Sequence, residues 1–195
     1  MSLKKYLLFL TAPTIFFSGC AAGPSGPLYL RPAGETREGY EHKDNGWVFQ
    51  AKAVKVSARQ ITKAEKEDIG LLAVYLLNKG HLLIRMDIEN AGKGKVIYNP
   101  ALTALIDNEV NYRKPLDYTD FFSMAANNEE LEKSLRDVRA GFYDLSFTLH
   151  PGERTSRILA FKGLSATAKT AELIIKELYI GTDTVRLLFP FQFRP

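Results

Sequence analysis

The stretch Thr184-Val185-Arg186-Leu187-Leu188-Phe189-Pro190-Phe191-Gln192-Phe193 decides the fold class. Val185, Leu187, Phe189, Phe191 and Phe193 fall at every second position, with Thr184, Arg186, Pro190 and Gln192 among the residues between them. Successive side chains of a strand point to opposite faces, so a period of two marks a strand with one buried face. Pro190 has no N–H for a ladder, which predicts that this strand lies at an edge or is bulged there. The pattern repeats upstream. Leu82, Ile84, Met86 and Ile88 alternate with His81, Leu83, Arg85, Asp87 and Glu89, and Leu145, Phe147 and Leu149 alternate with Asp144, Ser146 and Thr148. Further strands are predicted at 47–56, 101–106, 156–161 and 171–180.

Turn chemistry separates these runs. Asn90-Ala91-Gly92-Lys93-Gly94 supplies residues that accept positive φ, His150-Pro151-Gly152 carries the proline–glycine pair of a type II turn, and Gly181-Thr182-Asp183 joins the last two strands as a short hairpin. Short strands at near-regular spacing with such turns predict a mainly β protein, a sandwich of two antiparallel sheets.

Two segments break the pattern. Thr62-Lys63-Ala64-Glu65 is a capping-box signature that leads into Ile69, Leu72, Ala73, Leu76 and Leu77 at helical spacing. This predicts a helix; the competing reading is a strand over 71–77. In the second segment Leu131, Leu135, Val138 and Phe142 share one helical face. Glu129 and Glu130 sit in its first turn and Arg136 and Arg139 in its last, as the helix dipole favours. Glu129–Lys133 and Glu132–Arg136 are favourable i,i+4 pairs. The expected architecture is therefore a sandwich with one or two helical insertions.

The chain has 195 residues, 46% of them apolar and 25% charged, an ordinary globular balance that excludes a multi-span membrane protein and a disordered tail. The net charge of +4 falls to +2 without Lys4 and Lys5, too little to point to nucleic acid. One cysteine excludes a disulfide framework and any multi-thiolate metal site.

That cysteine follows a short apolar segment at 6–17, which Lys4 and Lys5 precede. The segment contains Pro13 and is too short to span a bilayer, which takes about 20 residues. It reads as a signal peptide over 1–19. Phe17-Ser18-Gly19-Cys20 resembles the lipobox of bacterial lipoproteins, with Phe17 where that family usually has Leu. The resemblance implies a diacylglyceryl group on Cys20, cleavage before it and acylation of its amine. The alternative is conventional cleavage after Ala21. Two or three acyl chains anchor a protein stably, so the membrane becomes a partner through Cys20. Ala21, in place of the aspartate that often retains such lipoproteins at the inner membrane, leans towards the outer membrane, facing the periplasm in a Gram-negative cell. Residues 20–46 hold five glycines and three prolines and read as a tether to a domain at 47–195. Leu28-Tyr29-Leu30 is the one apolar island in it, either an added strand or exposed.

Asp87-Ile88-Glu89-Asn90 before a glycine turn, Tyr98-Asn99-Pro100, Leu116-Asp117-Tyr118-Thr119-Asp120 and Pro151-Gly152-Glu153 ahead of Leu159-Ala160-Phe161 resemble small immunoglobulin-like domains of bacterial envelope lipoproteins. The resemblance implies an immunoglobulin-like β-sandwich and offers no catalytic residues.

Catalytic signatures are sparse. Gly163-Leu164-Ser165-Ala166-Thr167 lacks the last glycine of a nucleophile elbow, and Gly92-Lys93-Gly94 lacks the third glycine of a dinucleotide fingerprint. No cofactor or resident metal is expected. His42, His81 and His150 are scattered, although a hydrolase site assembled in space stays open. Asp117 and Asp120 are a candidate cation site, or the caps of a short helix. Tyr118, Phe121, Phe122 and Met124 form the candidate interaction surface, or core beneath the insertion helix. The expected function is a non-enzymatic, membrane-anchored envelope lipoprotein that binds or supports a protein partner. The alternatives are capture of a small ligand or metal and, behind that, hydrolysis.

Overall fold

The computed structural model describes residues 29–194; the expected signal peptide, Cys20 and the start of the tether lie outside them. In chain order the strands are β1 (Tyr29–Pro32), β2 (Tyr40–Lys43), β3 (Gly46–Ala51), β4 (Val54–Gln60), β5 (Leu82–Asn90) and β6 (Val96–Tyr98). They continue with β7 (Thr103–Asp107), β8 (Tyr112–Arg113), β9 (Phe147–Leu149), β10 (Arg154–Phe161), β11 (Thr170–Ile180) and β12 (Asp183–Arg194). The helices are α1 (Leu71–Asn78), α2 (Tyr118–Ala125), α3 (Glu129–Ser134) and α4 (Val138–Gly141).

Strand content is about twice helix content, and the strands form two antiparallel sheets. The first runs β1-β12-β11-β6-β9; β7 also pairs with β11, and β8 pairs with β7. The second runs β10-β5-β4-β3-β2. A single strand, β11, serves two partners on one side: 171–175 pair with β7 and 178–180 with β6, with a register break between Ile175 and Leu178. The period-two faces of β12 and β11 (Leu187, Phe189 and Phe191; Leu173, Ile175 and Leu178) meet Trp47, Val56, Ile84, Met86, Leu159 and Phe161 of the other sheet in one buried core.

Pro190 sits where the β1 ladder ends. Its carbonyl accepts the Ala33 N–H at 2.9 Å and also the Trp47 indole N–H. Within one strand residue the N and O atoms point to the same side, so the missing N–H falls away from β11 and that ladder loses nothing.

The sandwich begins earlier than the expected boundary at residue 47. Tyr29–Pro32 pairs with 191–194, and Tyr40–Lys43 pairs with 46–49, both inside the expected tether. Leu30 is buried, and the Tyr40 ring lies 5.0 Å from Phe49 and 5.8 Å from Phe189. The strand expected at 47–56 is instead a hairpin that turns at Lys52-Ala53, both residues having positive φ.

The helical reading of 71–77 holds. α1 packs on the outer face of the second sheet together with the insertion at 114–146. That insertion hangs from the free edge of β10: the Leu116 N–H donates to Ala160 O at 2.7 Å, and the Tyr143 N–H to Ile158 O at 2.9 Å. A second core forms there from Leu83, Ile158 and Ala160 of the sheet and Leu72, Leu76, Phe121, Leu131, Leu135 and Val138 of the helices. The result is three layers: sheet, sheet, helices. The helix expected over 128–139 is broken, with a 3-10 turn at Leu135–Asp137 between α3 and α4.

Leu83 points into this second core and is fully buried. Leu83→Ala is expected to lower the unfolding free energy by about 2–5 kcal/mol in urea denaturation, because the layer leaves a cavity and cannot fully close it. A loss under about 1 kcal/mol would mean that the helical layer adds little to the fold.

Candidate functional site

α2 is built as a two-faced element. Asp117 is its N-cap: one carboxylate oxygen accepts the Thr119 N–H at 2.8 Å and the Asp120 N–H at 3.1 Å. Asp120 reaches back to accept the Asp117 N–H at 3.0 Å, which completes a capping box. The two carboxylates of the candidate cation site are therefore occupied in starting a helix. Among the described residues no group of three or more His, Cys, Asp or Glu side chains is placed to hold a metal.

The four residues of the candidate interaction surface divide between the helix faces. Phe121 is 0% exposed and its ring lies 5.0 Å from that of Phe142, so it belongs to the second core and not to the surface. Met124 is half-buried against the same core. Tyr118 and Phe122, one turn apart, remain 45% and 57% exposed, with rings stacked at 6.5 Å and 27°. Consecutive residues of a helix lie about 100° apart around its axis, which is what separates Phe121 from Phe122 and lets Tyr118 stack on Phe122 one turn on.

A second place collects polar groups that no sequence motif singles out. Where the helical layer stops, the outer face of β4, β5 and β10 carries an open cleft of about 500 Å³ lined by Lys55, Ser57, Asp87, Glu89, Arg154 and Ser156. The register aligns them in two rows across the three strands, Lys55–Glu89–Arg154 and Ser57–Asp87–Ser156. Ser57 Oγ donates to Asp87 Oδ2 at 2.6 Å. The first row alternates in charge and the second sets a carboxylate between two serines, so the cleft is polar and close to neutral. Its signal in the sequence is the polar alternate residues of strands whose other residues are apolar.

The histidines stand apart. His150 is exposed beside the turn at 151–152, and the His42 ring packs edge-on to Trp47 at 4.1 Å. His81 is half-buried in a cavity of about 300 Å³ with Tyr29, Thr62, Lys63, Leu164 and Phe193, and no serine or carboxylate is among the described residues that line it. Its Nδ1 is buried without a hydrogen-bond partner. Burial lowers the pKa of the imidazole below its ordinary 6.5; the Leu76 carbonyl acts against this and the positive charge of Lys162 adds to it.

No protein-family model matches the chain, and no curated protein matches it. The crystal structure of the yjhA protein from Bacillus subtilis aligns with 66% of this chain and 76% of its own length, at 14% identity and a TM-score of 0.37.

Two outcomes follow from this geometry. Phe121→Ala should cost about 3–5 kcal/mol in chemical denaturation, whereas Phe122→Ala should stay within about 0.5 kcal/mol of wild type. Similar losses for both would place both in the core. For His81, a folded pKa below the unfolded one gives stability that is complete above about pH 6.5 and is lost as pH falls through the folded value. Between about pH 7 and pH 5, the melting temperature of the wild type should therefore drop further than that of His81→Gln. Parallel curves would show that His81 titrates alike in the two states.

Proposed function

We propose that the chain is a lipid-anchored protein of the bacterial cell envelope, without enzymatic activity, whose sandwich docks a protein partner through Tyr118 and Phe122 on α2. The observation that carries the reading is the placement of the lone cysteine. Cys20 closes Phe17-Ser18-Gly19-Cys20 behind a short cationic and apolar segment, and the first strand starts nine residues later. No helix among the described residues is long and apolar enough to cross a membrane. In this reading acyl chains on Cys20 provide the attachment. Ala21 favours the outer membrane of a Gram-negative cell, with the body facing the periplasm.

The sandwich is, in this reading, an elaborated immunoglobulin-like domain. Support comes from β5 pairing with β4 and β10 in one sheet, and from the row β9-β6-β11-β12 in the other. The chain crosses between the sheets after β5, before β10 and after it, as in sandwiches of that class. Tyr118 and Phe122 support the partner. They are large and exposed, and the helix that carries them is held by Phe121, so little freedom remains to be lost on binding. Ligand capture is the second reading, and what favours it is the polar cleft along Lys55, Ser57, Asp87 and Arg154.

Cys20→Ala is expected to move the protein from the membrane to the soluble fraction and to abolish fatty-acid labelling; unchanged labelling refutes the anchor. A photo-crosslinking residue at position 122 is expected to give one reproducible protein adduct in cells that is lost with Tyr118→Ser. An adduct that persists in that variant, or none at all, removes α2 as the docking surface.

A further inference from the structure

We infer that the end of the sandwich where β1 begins faces the bilayer and rests on anionic phospholipid headgroups, an inference that depends on the lipid anchor at Cys20 proposed above. Eight residues separate Cys20 from Tyr29, and covalent geometry limits that span to roughly 30 Å. Tyr29 is fixed to the body. It pairs with residue 194 at the end of β12, and the next residue, Leu30, is buried and donates its N–H to the Gln60 side chain at the end of β4. The anchor therefore pulls on one defined pole. β12 has 12 residues, roughly 40 Å at about 3.3 Å per residue, so the opposite pole, with Lys52 and Thr182, stands well clear of the headgroups.

The near pole is basic. Lys63 lines the same cavity as Tyr29 and His81. Lys162 lies close enough to act on His81, and Gly163 beside it packs so tightly on the Gly80 carbonyl that a Cβ there would come within 2.5 Å. Lys169 is placed by its carbonyl, which accepts the Phe193 N–H at 2.9 Å. Lys63, Lys79, Lys162 and Lys169 are all exposed.

The acids of this region are mostly engaged or displaced. Glu65 pairs with Arg59 at 2.7 Å, Asp107 with Arg113 at 2.8 Å, and Glu109 accepts the Thr167 hydroxyl. Glu67 and Asp68 lie towards the start of α1, which runs for roughly 12 Å before it returns to the pole at Lys79. Asp44 stays at the neighbouring β2–β3 turn, next to Lys43. At the far pole Lys52 is paired with Asp183, while Lys93 and Lys95 beside the β11–β12 turn are exposed, so lysines stand at both poles and the short connection to Cys20 chooses which of them meets the leaflet. Lysines brought within a Debye length of an anionic leaflet are drawn to it, and a half-exposed tyrosine suits the headgroup boundary, where one end of the ring is wet and the other is not. Tyr29, 38% exposed, is that residue.

The test uses the full acylated chain, purified from membranes and reconstituted into vesicles of phosphatidylglycerol and phosphatidylcholine. With Cys20 acylated, an introduced cysteine is the only free thiol. A fluorophore is placed at Ala166→Cys, in the near-pole loop, or at Thr182→Cys, at the far pole, and is quenched by a spin label on the lipid headgroups. Quenching at 166 is expected to exceed that at 182 at least threefold on phosphatidylglycerol vesicles. High salt, or the triple variant K63E/K162E/K169E, is expected to shrink that ratio while vesicle flotation persists. The salt arm stands alone if the triple variant does not fold. Equal quenching at the two positions in floating protein, or a ratio that is the same on pure phosphatidylcholine, overturns the headgroup contact and leaves the anchor standing. Failure to float, with no acyl group on Cys20, overturns the anchor and this inference with it.

Discussion

The second sheet is apolar on both faces over the half nearest the ends of β4 and β10, and the rest of the molecule is arranged around that constraint. In β5 the side chains of Leu82, Leu83 and Ile84 are all buried, and in β10 those of Ile158, Leu159, Ala160 and Phe161. Alternate members face the first sheet; Leu83, Ile158 and Ala160 face the other way. An antiparallel sheet commonly leaves one face wet, but this one cannot. It needs a cover, and two insertions supply it. The same insertion also blunts the free edge of β10, where backbone groups at 116 and 143 take up strand carbonyls that would otherwise invite pairing with another chain. The cover ends where the outward residues turn polar, at Asp87, Glu89 and Ser156, and the cleft opens there.

This logic was partly legible in the residues. The period of two in β12 and β5, the capping box at Thr62, and the apolar face through Leu131 and Leu135 each set an element that the fold contains. The breakdown of alternation at Leu82-Leu83-Ile84 and Ile158-Leu159-Ala160 was also visible, and it is the mark of a strand covered on both sides, but alternation alone does not say what lies over the second face. The β1 and β2 segments were hidden for a different reason. They are four residues each, set among glycines, prolines and charges, and they become strands because β12 and β3 offer edges to them, with Leu30 and Tyr40 as their hold on the core. The turn at Lys52-Ala53 lacks the Asn-Gly chemistry of two-residue hairpins, so nothing local announced it, whereas Asp44-Asn45 at the other hairpin is chemically suited to positive φ.

In α2 a cluster in the sequence does not become a cluster on the surface. Tyr118, Phe121, Phe122 and Met124 form one cluster in the chain, yet a helix distributes them over its circumference. Which of them faces out depends on the direction from which Phe142 and the sheet approach, and those residues are distant in sequence. The same packing that removes Phe121 from the surface gives Tyr118 and Phe122 a fixed mounting. The capping box at Asp117 and Asp120 holds the start of the helix, and the buried ring holds its middle. Carboxylates that resemble a cation site in the sequence are thus part of what positions the exposed aromatics.

Incorporating β1 into the first sheet changes the mechanics of any anchor as well as the domain boundary. A connection that ran freely to residue 46 would let the body turn any side to its surroundings. One that ends at Tyr29 enters a strand hydrogen-bonded along β12, the longest strand, and linked to the other sheet through Leu30 and Gln60. Tension from an anchor at Cys20 would be borne by both sheets at one pole and not by a loop, and the body's orientation would be coupled to that anchor. Exposed lysines stand at both poles, 93 and 95 at the far one, where Lys52 is paired with Asp183, and 63, 79, 162 and 169 around the entry point. A net charge as small as +4 conceals this, because what matters for a surface contact is the arrangement of charge around the point where the chain enters the fold and not its sum.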